Sequence, residues 1–222
     1  MDIYLKHLVA AFYLVDEKYF SNNAYSGNWR EYDDKSKKEY VQFVERVFAY
    51  ELYYQFRKIM EALPTNYKDL VLNGEISKNG FKNIYKSNTI FPDLVLHKSQ
   101  GCLINQELFI EIKTSPLINE ESLENDIGKL IIAVGETLKY KNAVFVCINY
   151  NYKSLLENIQ QKIKKANYSN YGENHPNLIE KEKFKLKEET IRKIWLLTET
   201  NGLESFDKLF KQQRNNQLKI NI

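Results

Sequence analysis

Cysteine is scarce in the chain: only Cys102 and Cys147 occur among 222 residues, and they form neither a CxxC pair nor a disulfide framework. Histidine is scarce too. His7, His97 and His175 lie far apart in sequence, which argues against a structural zinc site or a histidine-based catalytic centre. With 8 glycines and 4 prolines the chain is neither collagen-like nor of low complexity. No run of 18 apolar residues occurs, so no membrane-spanning helix is expected. The N-terminus carries an acid at position 2 and no small-residue cleavage site, so it does not read as a signal peptide. Free cysteines without an export signal point to a reducing cytoplasm. GxxxxGK[ST], GxGxxG, GxSxG and HExxH are all missing, as are zinc-finger, KH and RNA-recognition signatures.

What is present suits a folded globular protein. Hydrophobic residues make up 43% and charged residues 27%, enough to build a core. The net charge is only +3, which is no strong polyanion signature, but it is unevenly spread. Residues 1–152 carry 18 Lys+Arg against 20 Asp+Glu, whereas residues 153–222 carry 14 against 9. The basic last third can contact phosphates, or can be a solvated lysine-rich helical face.

Hydrophobic periodicity predicts a first helix over 3–20, a loop over 21–35 and a long helix over 36–63. In the long helix Val41, Val44, Phe48, Leu52, Phe56, Ile59 and Leu63 recur at three- and four-residue steps, with Ser36 as a cap and Pro64 after the end. Strands are predicted over 69–76, 91–97 and 107–113, a helix over 122–139, and a strand buried on both faces over 143–148. Strand 107–113, helix 122–139 and strand 143–148 read as a crossover unit. Further on, 153–165 reads as a helix, 167–178 as a loop, and 187–199 and 203–215 as two more helices. The chain reads as one domain spanning 1–222, with a core over about 36–150 and a C-terminal helical extension over about 153–222.

One constellation stands out. Pro92-Asp93 opens one predicted strand, and Glu111-Ile112-Lys113 ends the next. Alternation puts Glu111 and Lys113 on one face and Leu108, Ile110 and Ile112 on the other. If the two strands form a hairpin, Asp93 approaches Glu111. Two carboxylates and an ammonium then converge. Asp93 and Glu111 offer hard oxygen ligands for Mg²⁺, with the carbonyl of Ile112 as a third. Lys113 would orient or help deprotonate a bound water, and would also offset charge on a phosphorane. The competing reading is a surface hairpin with a same-face Glu–Lys ion pair.

These motifs, taken together, resemble the PD-(D/E)xK superfamily of restriction-endonuclease-like phosphodiesterases, and in particular its small bacterial members. The resemblance covers about residues 40–150. It rests on Glu45-Arg46, Glu75, Pro92-Asp93-Leu94-Val95-Leu96-His97, Glu111-Ile112-Lys113 and Asp126-Ile127-Gly128-Lys129-Leu130, in that order. It implies an α/β fold with an αβββαβ core, a mixed central sheet flanked by helices, and extra helices at both ends. It further implies a Mg²⁺-dependent nuclease, Mn²⁺ substituting, acting on nucleic acid, DNA in the first place. Asp93 and Glu111 become metal ligands, Lys113 the catalytic lysine, and Glu45 a helix-borne acid that binds metal or water. A homodimer is compatible with such folds.

Accessory positions stay open at this stage. Glu51 rivals Glu45, because both flank the apolar stripe about 60° either side of Phe48 at 100° per residue. Glu75 can bind a second metal or form a salt bridge. Lys129 can reach a phosphate or sit in solvent, with solvent favoured. His97 can face the site or be a satisfied edge histidine, the latter favoured. Tyr50, Tyr53 and Tyr54 can stack bases or pack the helix, and packing is favoured. Cys147 reads as core. Two rivals remain: a restriction-endonuclease-like binding module without catalysis, and a structural protein whose motif match is accidental.

Overall fold

The computed structural model describes residues 1–20, 34–74, 91–98, 106–114, 120–135, 138–168, 188–209 and 211; within helices, residues 34–43, 120–121 and 162–168 are described as backbone alone. Glu75, Cys102, His175 and most of the predicted loops 21–35 and 167–178 lie outside the described residues.

Helix α1 spans Ile3–Tyr13 and is capped by Asp2, whose carboxylate accepts the Tyr4 N–H at 2.8 Å. It ends seven residues short of the expected boundary, and Glu17–Tyr19 forms a separate 3-10 turn. Helix α2 spans Asp34–Ala62 and begins two residues before Ser36, so that serine lies inside the helix. Its stripe of Val44, Phe48, Leu52, Phe56 and Met60 is buried. Leu63 falls beyond the helix and is exposed. Strands β1 (Val71–Gly74), β2 (Leu94–His97) and β3 (Gln106–Lys113) follow, then α3 (Glu120–Val134), β4 (Asn142–Cys147) and α4 (Tyr152–Tyr168).

The C-terminal part corrects the sequence expectation. Residues 187–199 do not form one helix. A single turn covers Glu188–Ile191, and the chain then enters strands β5 (Ile194–Thr198) and β6 (Gly202–Ser205). Helix resumes only at residues 206–209. Segment IWLLT pairs in parallel with β4, which buries Ile194, Leu196 and Leu197. A long-range partner thus overrides the helical propensity of the flanking Glu and Lys residues.

The result is an α/β fold with one open, mixed sheet in the order β1-β2-β3-β4-β5-β6. β1/β2 and β2/β3 are antiparallel, β3/β4 and β4/β5 parallel, and β5/β6 antiparallel. The parallel β3–β4 step needs a crossover, and α3 supplies it. Helices α1 and α2 cover one face through Leu5, Leu8, Phe48 and Leu52 against Leu96, Leu108, Ile110 and Val146. Helices α3 and α4 cover the other through Ile127, Leu130 and Ile159 against Phe109, Phe145 and Leu196. Central strands β3 and β4 are sandwiched, which is why their sequences read as near-continuous apolar runs. Among the described residues no helix is long and apolar enough to cross a membrane.

Candidate active site

The site grows out of the point where β2 stops and β3 continues. Leu94 pairs with Ile110, so residues 111–113 of β3 run past the start of β2. The ladder is unfinished there, and Asp93 finishes it: its Oδ2 accepts the Ile112 N–H at 2.6 Å. On the other edge the Lys113 carbonyl accepts the Ile148 N–H at 3.0 Å. Backbone groups alternate along a strand, so the Ile112 carbonyl turns toward the Asp93 edge. The hairpin anticipated from sequence therefore brings Asp93 beside Glu111 and Ile112.

Side-chain alternation also holds. Leu108, Ile110 and Ile112 join the α1/α2 core, whereas Phe109 joins the α3 core. Glu111 follows two residues later, 1% exposed, and meets α3. Lys129 Nζ lies 2.8 Å from Glu111 Oε2 and 3.0 Å from Asp126 Oδ1. Lys113 Nζ lies 3.3 Å from Asp126 Oδ2 and 3.3 Å from Glu45 Oε1, the latter arriving from α2. Four carboxylates and two ammonium groups thus form one connected cluster.

The structure brings one of the two α2 acids to the cluster. Glu45 reaches Lys113, while Glu51 accepts a 2.6 Å bond from Gln55 on its own helix. Lys129 is not a solvated helix lysine: it holds the most buried carboxylate of the cluster. His97 lies at the far end of β2 from Asp93, buried, with its Nε2 2.9 Å from Asn73 Nδ2; β2 is paired on both sides, so it is not the edge histidine expected. Cys147 is buried in the α3-side core. Glu75 lies outside the described residues.

Asp126 is the residue the sequence reading passed over. It binds both lysines and is 3% exposed. A signal was available: Leu123, Ile127 and Leu130 form the buried stripe of α3, and Asp126 stands at a helical spacing that belongs to that stripe. A charge at a core position needs partners.

Electrostatics follow from the count. If every group ionises, four carboxylates outweigh two ammoniums by two charges in a buried place. Burial pushes Glu45 up to about 7, against the pull of Lys113 and with a push from Asp93. Burial also raises Asp93, opposed by the Ile112 N–H, and raises Glu111 well above the usual range, reinforced by Asp93. Burial pulls both lysines down, but the carboxylates outweigh it and hold each above the usual lysine value.

The donor set was tested against a divalent cation. Asp93, Glu111, Glu45 and the Ile112 carbonyl are all hard oxygens, as Mg²⁺ requires. Glu111 Oε1 is buried and has no hydrogen-bond partner among the described residues. A dication would also cancel the two excess charges. Against this, no group of three or more His, Cys, Asp or Glu side chains among the described residues is already arranged to hold a metal, because lysines engage the carboxylates. The residues present fit the ion by chemistry and charge, and the lysines would have to yield part of their hold.

Glu45 and Asp93 also line a cavity of about 470 Å³, walled further by Arg46, Tyr50 and Tyr53 of α2 and Asn73 of β1. The chain matches no family model, no curated protein and no solved structure.

Proposed function

We propose that the protein is a Mg²⁺-dependent phosphodiesterase of the restriction-endonuclease-like, PD-(D/E)xK kind, acting on nucleic acid, with DNA the favoured substrate and the cytoplasm its place of work. The observation that carries the reading is the buried cluster at the end of β3, four carboxylates against two ammonium groups, in which Glu111 Oε1 has no hydrogen-bond partner among the described residues. Asp93, Glu111, Glu45 and the Ile112 carbonyl would hold Mg²⁺, with Mn²⁺ substituting. When bound, the ion supplies charge stabilisation at the phosphate and a more acidic water.

The chain's own residues do the rest. Lys113 stays protonated among its carboxylates, so in this setting it donates. It can orient a water or steady a non-bridging phosphate oxygen. Glu45, at the mouth of the site, would hold the ion or a water beside it. Asp126 is buried against both lysines and positions Lys113 and Lys129. The order of elements from α2 to β4 also supports the fold assignment, since it reproduces αβββαβ with the acids on the second and third strands.

The test is cleavage of supercoiled plasmid, single-stranded DNA and RNA in Mg²⁺, Mn²⁺ or EDTA by wild type, Glu111→Ala and Lys113→Ala. Metal-dependent cutting lost in both variants supports the proposal and names the substrate. Equal residual cutting by all three proteins refutes it.

One observation favours a second reading. Each of Glu45, Glu111 and Asp126 already faces a lysine, as in a closed structural network of a binding module. Mg²⁺ titration calorimetry separates the two, because a closed network binds the ion no better in wild type than in Glu111→Ala.

A further inference from the structure

Helix α2 carries a second stripe besides its apolar one. Arg46, Ala49, Tyr50 and Tyr53 follow at steps of three, one and three residues, so they share one side of the helix. That side faces the cavity of about 470 Å³. The volume falls within the ~300–1,000 Å³ typical of small-ligand sites. Tyr50 is 64% exposed, while Tyr53 rests partly on the core. Packing does not account for Tyr50, because Phe48, Leu52 and Phe56 already fill the α2 interface. Ala49 keeps the space open between the rings. Asn73 stands across the cavity, its amide nitrogen held by buried His97, which gives that histidine a positioning task. Glu45 and Asp93 line the same cavity, so it is continuous with the carboxylate cluster.

We infer that this cavity seats an unpaired nucleobase, stacked on Tyr50 and Tyr53 beside the carboxylate cluster, and hence that the protein engages single-stranded or frayed nucleic acid in preference to intact duplex. The inference rests on the nuclease reading for its choice of polymer. Its physical basis is that a tyrosine ring offers a face, and a base can give its face only when it is out of the stack. An arginine beside the rings supplies donors for a flanking phosphate. A duplex presents base edges, for which the cavity offers one amide.

The experiment uses a short single strand carrying 2-aminopurine, whose fluorescence is quenched by stacking, together with anisotropy of an end-labelled copy. DNA and RNA strands and the matching blunt duplex are titrated in EDTA and in Ca²⁺. The proteins are wild type, Tyr50→Ala, Tyr50→Phe, Tyr53→Phe and Ala49→Leu. The expected result is quenching by wild type and by both Phe variants. Tyr50→Ala should bind about tenfold more weakly, the size of one lost base stack. Ala49→Leu, which fills the cavity, should lose quenching, and duplex should bind more weakly than single strand. Equal affinity for duplex, quenching indifferent to Tyr50→Ala and Ala49→Leu, or no binding of single strands would each overturn the inference. Tyrosine-dependent quenching with no metal-dependent cutting would uphold the cavity and sink the nuclease reading. Cutting that depends on Glu111, with binding indifferent to the tyrosines, would do the reverse.

Discussion

The two faces of β3 were built for different ends. Under α1 and α2, Leu108, Ile110 and Ile112 join one apolar cluster that runs from Leu5 to Leu197. Under α3, Phe109 starts the same way, but Glu111 and then Lys113 break the pattern, and Asp126 breaks the facing stripe of α3. The first face lowers the free energy of the fold by removing hydrocarbon from water. The second spends part of that gain on carboxylates that burial pushes toward protonation. Charge placed where stability would favour hydrocarbon makes the α3 side of β3 the candidate functional side.

Neighbouring substitutions on the two faces should part company completely. Glu111→Gln keeps the shape and removes a charge. It should cut metal-dependent hydrolysis by at least about a thousandfold, roughly 4 kcal/mol of transition-state stabilisation. In EDTA its thermal midpoint should match or exceed wild type, because the amide places no charge where burial already pushes Glu111 toward protonation. Ile110→Ala, one residue away and fully buried, should do the opposite. It should cost about 2–5 kcal/mol of stability by urea unfolding, with hydrolysis per folded molecule nearly unchanged. If Glu111→Gln destabilised as much as Ile110→Ala, the contrast between the faces would be wrong.

The next effect is on pH. Glu45 is pushed up from 4.5 to about 7 in the folded protein. A carboxyl raised in this way contributes stability that is complete below about pH 4.5 and is lost as pH rises through 7. At about 1.4 kcal/mol per pH unit, the upper limit is about 3 kcal/mol, less what partial exposure relieves. Metal-free protein should therefore melt at lower temperature at pH 8 than at pH 5. Glu45→Gln should flatten that slope, and Mg²⁺ should raise the midpoint at pH 8 more than at pH 5. A slope unchanged by Glu45→Gln would remove Glu45 from the cluster's proton balance.

How the sequence announced all this is itself uneven. The α2 stripe, the alternation of β3 and the apolar run of β4 were legible because each is a local pattern with one dominant period. So was the meeting of Asp93 with Glu111, since hairpin pairing follows from two adjacent strands. The strands β5 and β6 were not. Ile194–Thr198 is five residues among helix formers, and only its pairing with β4, about fifty residues earlier, makes it a strand. β6 opens on Gly202 at φ +66, a conformation glycine adopts freely, and Gly-Leu-Glu-Ser has no strand signature. Asp126 was visible as part of a motif, but its role required knowing that its side of α3 is buried.

Asp126 gives the smallest and most discriminating effect. Breaking a buried ion pair usually destabilises by about 3–5 kcal/mol, because a charge is left alone. Here the charges left behind are Lys113 and Lys129, and each keeps another carboxylate, Glu45 and Glu111 respectively. The cluster also carries more acid than base. Asp126→Asn should therefore change stability by less than about 1 kcal/mol in EDTA, far below the usual loss. Its consequence should appear in positioning instead: kcat should fall while KM stays near the wild-type value, since the lysines lose the group that fixes their distance from Glu111. Asp126→Glu, which restores the charge at a shifted place, should recover stability of the lysine contacts but only part of kcat. A large loss of stability in Asp126→Asn with an unaltered kcat would make Asp126 a structural ion-pair member, and the division of labour between the two faces of β3 would then end at Glu111.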